Sequence, residues 1–456
     1  MLPLLRRLAR QLPAGEFNLA ENVLQAHSGD KWFATARPDA VVLARSALTI
    51  SKVLAFAHRH GIPVTPRGAG HGYVGGCVPV KGGIVLSVAG LRRIRQIAPR
   101  DFVAVVEPGV LTATLQAAVE RRGLYYPPDP ASRADCSIGG NIATNAGGPR
   151  CLKYGVTRDY VLGLDVILAD GTPVRLGGRT HKNKTGFDLH RLFVGSEGML
   201  GVVTQANLKL LPLPPFRACL GVGFDSMPSA IAAMDAVFAS GLLPSALELA
   251  DAFTLAAARK RTGSDRLAGC NAHMIVELDG QERSVRSELR QLQGLLTGFK
   301  PVFVDRGFGP EGCEKLWQLR RQFSYALRDT GLTKLNEDVV VPRGSLEKLF
   351  RLAASLQRKF GIQVACFGHA GDGNIHVNLM VDWENAGQRE RSEAALDALF
   401  GGVLRMGGSI TGEHGVGLAK KRWWPQAASG AVDELHRRVK AALDPKGILN
   451  PGKFLG

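Results

Sequence analysis

The alternation of apolar and polar positions divides the chain near residues 212–215. Residues 1–34 open on a basic amphipathic stretch, MLPLLRRLARQL, which predicts a short helix. Residues 35–60 contain an Ala/Val/Leu-rich helical pattern, and 61–66 (GIPVTP) then reads as a short strand entering a glycine-rich loop. Strands at 83–88 (GIVLSV) and 103–106 (VAVV), a helix at 111–121, and strands around 161–168 and 202–210 complete an α+β section. Pro212, Pro214 and Pro215 break it. The rhythm then restarts as strand 220–224, helix 227–240, strand 273–278 and helix 281–295, an alternation that suggests an antiparallel sheet with helices on one face. From Thr411 the pattern is mainly helical and ends in a Pro/Gly tail, DPKGILNPGKF at 444–454, expected to return to the first domain. The expected organisation is a helical segment (1–34), a cofactor domain (35–213), a cap domain (214–410) and a C-terminal segment (411–456).

Length and composition narrow the class. With 456 residues, 45% apolar and 21% charged, the chain has the make-up of a globular protein of two or three domains, long enough to enclose a large cofactor. No run of 18 or more apolar residues occurs, which argues against a transmembrane helix. The N-terminal stretch lacks the long apolar core and cleavage site of a secretory signal, leaving a docking helix or a membrane-surface or targeting segment. Lys and Arg number 57 against 40 Asp and Glu, a net charge of +17. These charges are scattered, without an aromatic-basic platform, so nucleic acid is an unfavoured partner; an anionic ligand, an acidic protein or a membrane surface fits better. Seven widely spaced cysteines without C-x-x-C suggest reduced thiols in a cytoplasmic protein.

Two segments, PRGAGHG (66–72) and SIGGNIATNAGG (137–148), remove side chains and leave backbone N–H groups to meet anionic oxygens at close range. GSEGMLG (195–201) is a third such loop. The string Gly70–Gly75 formally matches G-x-G-x-x-G, but Gly76, Pro79, Gly82 and Gly83 follow it instead of a helix, against a dinucleotide fingerprint. GRTHKNKT (178–185) fails as a P-loop because Asn183 stands where the second glycine belongs.

Six motifs, in order PRGAGHG, PPDPASRADCSIGGNIATNAGG, KTGFDLHRLFVGSEGMLGVVT, FGHAGDGNIHVN, GEHGVG and DPKGILNPGK, resemble the group of flavoenzymes that holds the glycolate oxidase D-subunit, D-lactate dehydrogenase and D-2-hydroxyglutarate dehydrogenase. The resemblance covers nearly the whole chain. It implies an α+β fold: an FAD-binding domain of the p-cresol methylhydroxylase and vanillyl-alcohol oxidase type, an antiparallel-sheet cap domain with helices that carries the substrate site, and a C-terminal helical return. It implies that Arg67, Gly68, Ala69, Gly70, His71 and Gly72 cradle the FAD pyrophosphate. Asp135, Ser137, Gly139, Gly140, Asn141, Thr144, Asn145, Gly147 and Gly148, with Glu197, Gly201, Val202 and Val203, would line the flavin and adenine parts, and Asn450 would approach from the tail. The group often has a small hydroxyl residue in place of His71, while distant flavoenzymes use a histidine in such a loop as a covalent FAD anchor; both roles stay open for His71.

A second constellation lies near residue 370. Apolar runs flank GHAGDGN (368–374), and Asp-Gly is a strong hairpin signal. A two-residue turn at Asp372-Gly373 would set His369 directly opposite His376, within reach of one metal ion. Glu413-His414 in GEHGVG adds a third ligand and a separate base, leaving coordination positions open for substrate. Zinc is the first choice of divalent ion; Fe²⁺ and Mn²⁺ accept the same ligands. The resemblance implies the same roles, with Asn378 near the substrate. It also implies an anion-binding arginine on the helix carrying LWQLR, here Arg320, followed by Ser324; the lysine expected next is Lys334 one residue out of place, or Asn336 replaces it.

The expected function is oxidation of a small 2-hydroxy acid, of D-lactate, glycolate or D-2-hydroxyglutarate type, with hydride transfer to flavin N5 and electrons passing to a quinone, an electron-transfer flavoprotein or a cytochrome. Peripheral membrane association, a homodimer and a subunit role in a larger oxidase are compatible with this reading. Rival readings are a covalent-FAD oxidase of a sugar or lactone, a metal hydrolase without flavin, and a non-catalytic component of a multi-subunit oxidase.

Overall fold

The computed structural model describes residues 1–455, which divide into two compact units. The first comprises Met1–Gly148, Gly155–Leu213 and Glu413–Gly456; the second comprises Pro149–Tyr154 and Pro214–Gly412.

In the first unit, strands Ala40–Leu43, Ile84–Ser87 and Val64–Arg67 run parallel side by side, and Phe17–Asn18 closes one edge antiparallel. Helix Ala47–His60 makes the crossover between two of them. Its limits are set locally: Ser46 accepts a hydrogen bond from the Thr49 amide, and Gly61 ends it in the left-handed region at φ 64°. The helical pattern expected within 35–60 is this helix, while the apolar run before it is the strand Ala40–Leu43, which the pattern did not separate. A short apolar run buried on both faces has no period by which to tell strand from helix. A second, five-stranded antiparallel sheet runs in the order Ile94–Ala98, Val103–Val106, Val202–Lys209, Val161–Ile167, Pro173–Gly177. Both chain ends enter the first core: Leu5 and Leu8 from the N-terminal helix, and Ile448 and Leu449 from the tail, are buried with Val42, Val53 and Val64.

The second unit is built on a seven-stranded sheet ordered Phe303–Phe308, Phe216–Phe224, Ala272–Gly280, Ala246–Asp251, Gln363–His369, Asn374–Val381, Thr333–Val340, with every pair antiparallel. Helices cover both faces, not one. Helix Gly309–Arg328 sends Cys313 and Trp317 onto Cys219 and Ile275, while helix Glu282–Thr297 packs on the same Phe216–Phe224 strand. That strand is buried at every position from Ala218 to Phe224, which a sheet covered on one side would not allow.

Candidate functional site

The period of two along the strands gathers polar side chains on one face of the seven-stranded sheet, the face under helix Gly309–Arg328. His369 is the last residue of its strand. The turn after it is not the two-residue turn expected: Ala370–Asp372 form a 3₁₀ turn and Gly373 sits at φ 84°. The register therefore pairs His369 with Asn374 and Phe367 with His376. A slip of two keeps every side chain on its face, so His369 and His376 remain diagonal neighbours with ring centroids 5.6 Å apart. A slip of one would have parted them.

His369 is oriented from behind. Its Nδ1 lies 2.5 Å from Glu248 Oε1, and Arg320 Nε donates to Glu248 Oε2 at 2.6 Å. Glu248 is fully buried; burial alone would raise its pKa, but the adjoining His369 and Arg320 outweigh that and hold it down at about 2. With Nδ1 committed to the carboxylate, His369 presents Nε2, the tautomer by which a second carboxylate prepares a metal-ligating histidine. His369 and His376 offer two imidazoles on one face of the sheet, and Glu413, which follows directly on the second unit's last residue, Gly412, offers a carboxylate. Two imidazoles and a carboxylate are a donor set that suits a divalent ion. A second acid-thiol cluster, Cys219, Glu277 and Cys313, does not fit one. There Glu277 is already held by Arg150 at 2.7 and 3.0 Å and by Trp317 Nε1 at 2.8 Å.

Arg320, Ser324 and Lys334 also come together: Lys334 Nζ donates to Ser324 Oγ at 2.8 Å. Burial, with Arg328 and Arg320 nearby, brings the Lys334 pKa down to about 8. Asn336 and Asn378 are opposed across neighbouring strands. Asn378 donates to the carbonyls of Ala365 and His376, both at 3.0 Å, and neither its buried Oδ1 nor that of Asn336 has a hydrogen-bond partner among the described residues. His414, in the first unit, lies beside the Tyr73 ring at 5.2 Å.

In the first unit the two glycine loops meet. The Ala69 amide donates to Ser137 Oγ at 3.3 Å, and a Cβ on Gly68 would fall 2.7 Å from that oxygen, so only glycine lets the loops touch. Gly70 turns at φ 72° over the Arg67 guanidinium. The Arg67 guanidinium lies against the loop at Gly70 and donates to Gly29 O at 2.6 Å and to Cys77 at 3.2 Å, bracing the turn. His71 is half-buried, and burial, reinforced by Lys31, holds its pKa below the usual value. Gly140 faces open space, a Cβ there meeting only Ser137 Oγ at 3.5 Å.

The other expected flavin residues have varied settings. Asn141 is buried and donates to Thr112 at 2.7 Å; Thr144 bonds back to Gly140 O at 3.3 Å; Asn145, at φ 54°, accepts from the Arg158 amide at 2.8 Å. Gly139 is packed on Pro108, Gly201 on Val166 and Phe193, and Gly148 on Asp129. Gly147 is buried, Gly72 and Val203 are half-buried, Val202 belongs to the core and Asp135 is exposed. Glu197 is fully buried and its carboxylate accepts the amides of Val416 at 2.7 Å and Gly417 at 2.9 Å. Asn450 donates to Gly76 O and Glu197 O, both at 2.8 Å, while its buried Oδ1 has no partner among the described residues. A cradle closed to Cβ atoms, an open glycine edge and an orphaned amide oxygen fit a bound FAD.

Glu248, Asp338 and Tyr73 escaped the reading of the sequence. Glu248 and Asp338 did leave a signal: each is an acid set within or beside an apolar strand, where a charge must be paired.

Residues 38–177 match the family model described as FAD binding domain, and 213–454 match FAD linked oxidases, C-terminal domain. The chain is 38% identical over 417 residues to the glycolate oxidase subunit GlcD of Bacillus subtilis, covering 91% of this chain and 89% of that one. It is 33% identical to a D-lactate dehydrogenase of Anaerostipes hadrus, covering 92% and 90%. Substrate-bound p-cresol methylhydroxylase shares the fold with a TM-score of 0.82 at 18% identity, covering 100% of this chain and 96% of that one. The chain belongs to the FAD-linked oxidase family: it is an FAD-linked oxidoreductase with a flavin-binding domain of the p-cresol methylhydroxylase type and an antiparallel-sheet domain.

Proposed function

We propose that the protein oxidises a small 2-hydroxy acid of D-lactate, glycolate or D-2-hydroxyglutarate type to the 2-oxo acid. The observation that carries this reading is the pairing of His369 and Arg320 on the one buried carboxylate of Glu248, beside His376. It sets a metal-ligand histidine and an anion-binding arginine side by side. The names of the relatives, a glycolate oxidase subunit and a D-lactate dehydrogenase, support the substrate class.

When bound, FAD supplies a hydride acceptor at N5 and a divalent ion, zinc by preference with iron or manganese as alternatives, supplies a Lewis acid for the hydroxyl and carboxylate oxygens. His369, His376 and Glu413 would hold that ion. Arg320, tied to Glu248 through Nε, keeps its terminal nitrogens for the substrate carboxylate, and the Lys334–Ser324 pair adds positive charge at the same face. Asn378 offers its orphaned Oδ1 to a donor on the substrate or to a water. His414 takes the proton of the 2-hydroxyl as C2 gives up its hydride, and Tyr73 limits the imidazole's rotation. The two electrons then leave to a quinone, a flavoprotein or a cytochrome.

An anaerobic screen of glycolate and of D- and L-2-hydroxy acids tests this by flavin absorbance. Bleaching by glycolate or by members of one enantiomeric series is expected. If no acid bleaches the flavin, the reading fails in favour of a non-catalytic subunit, which the word "subunit" in the relatives' names keeps in view.

A further inference from the structure

We infer that Asp338 is the positioning residue for Glu413, a role that rests on the proposed metal site and that no motif in the sequence announces. Asp338 lies in strand Thr333–Val340, directly opposite His376, and is fully buried. Its Oδ1 accepts from Asn374 Nδ2 at 2.7 Å. Its Oδ2 accepts from Thr411 Oγ1 at 3.0 Å and from the Gly412 amide at 2.9 Å. One carboxylate thus joins the hairpin residue paired with His369 to the two residues that precede Glu413.

The segment before Glu413 is laid down by a second device. Ser409 forms an isolated bridge with Val340, with N–O distances of 2.8 and 3.1 Å. From that bridge the chain runs three residues to Gly412, where a Cβ would stand 2.6 Å from Asn374 Cγ and 2.7 Å from Val340 Cγ2. Gly412 is therefore pressed against the strand end, and the Asp338 clamp fixes the peptide from which Glu413 departs. Both oxygens of Asp338 accept hydrogen bonds, two of them from the strap itself, and it is through the strap that we assign its action. Taking a carboxylate out of water is costly unless every acceptor is served, which makes the clamp intolerant of losing one donor.

Asp338→Asn tests this at constant volume. The amide nitrogen it introduces must face one of the present donors; the Thr411 hydroxyl can turn to accept, the Asn374 side chain can accept only by flipping its carboxamide and giving up its bond to Val339 O, and the Gly412 amide cannot accept at all. Two measurements are made on full-length protein carrying its flavin. The first, hydrogen exchange of residues 409–413 after metal removal by a chelator, does not depend on the metal reading; exchange at Gly412 about tenfold faster than in the parent is expected for one lost hydrogen bond. The second is titration with Zn²⁺ and Co²⁺. Asp338→Asn should weaken binding ~10–100-fold, the scale for a lost supporting partner, and add nothing further in a Glu413→Gln background. Its Co²⁺ absorption spectrum should shift toward that of Glu413→Gln. Thr411→Val, which keeps the charge and the Gly412 bond, should move both readouts less in the same direction, and it carries the test if Asp338→Asn does not fold.

Equal weakening in both backgrounds would overturn the inference, since Asp338 would then act on the hairpin alone. Parental affinity in Asp338→Asn would overturn it too. If Glu413→Gln itself binds metal like the parent, the metal reading is what has failed; exchange at Gly412 then decides whether Asp338 positions the strap, acceleration supporting it and parental exchange overturning it.

Discussion

At the scale of single residues, the site depends on acids whose partners are far away in sequence. Glu248 meets His369 across 121 positions, and Asp338 meets Gly412 across 74. The histidines and Glu413 could be read from short motifs because their chemistry sits beside glycines and turns; the two acids could not, because only the fold says what they face. His414 belongs to the legible group. It adjoins the proposed ligand Glu413, its Nε2 lying 3.8 Å from Glu413 Oε1, and three ligands already suffice for an open catalytic site. His414→Asn is therefore expected to keep flavin and metal and to slow anaerobic flavin reduction by ~10²-fold or more, the usual scale for a lost general base. Stopped-flow reduction with substrate and with C2-deuterated substrate measures it: an isotope effect on the slow step assigns the loss to chemistry. Loss of metal instead would make His414 a ligand.

At the scale of elements, turn chemistry decided what could be foreseen. The Asp-Gly pair does make a hairpin, yet the chain inserts Ala370 and Gly371 into the turn, and the register moves by two. The side-chain face survived that error because a strand repeats every two residues. The glycine loops were more readable, since a missing side chain is visible in sequence while a hydrogen-bond partner is not. Their geometry sharpens one test. A Cβ on Gly140 would meet only Ser137 Oγ, at an ordinary 3.5 Å, and valine is no poorer a helix former than glycine, so Gly140→Val should fold. If this loop lines the flavin as proposed, the added methyls would occupy the side from which FAD approaches, and most of the flavin should be lost. Absorbance at the flavin bands against protein concentration reads the occupancy, and near-ultraviolet circular dichroism checks the fold. Full occupancy in a folded variant would move the flavin away from this loop.

For the whole molecule, the proline-marked break at 212–215 coincides with a boundary between the units, whereas the early excursion of Pro149–Tyr154 into the second unit had no sequence marker. That excursion is fastened by Arg150 on Glu277 and by Lys153 on Asp279, ion pairs between side chains about 127 positions apart. Each such pair uses one acid and one base, so the chain as a whole keeps its formal net charge of +17. Such a field attracts an acidic protein or an anionic surface over about a Debye length, ~10 Å at 0.1 M salt, and acts on encounter more than on bound geometry. If reduced flavin passes its electrons to an acidic protein, the second-order rate of reoxidation should fall about tenfold or more between about 0.02 and 0.2 M salt. Reoxidation by a neutral quinone should stay nearly constant over the same range. Stopped-flow mixing of substrate-reduced protein with each acceptor separates the two, because no substrate binding intervenes. A rate that is flat in salt for both acceptors would mean that the excess positive charge serves solubility or another ligand, and that electrons leave through an uncharged face.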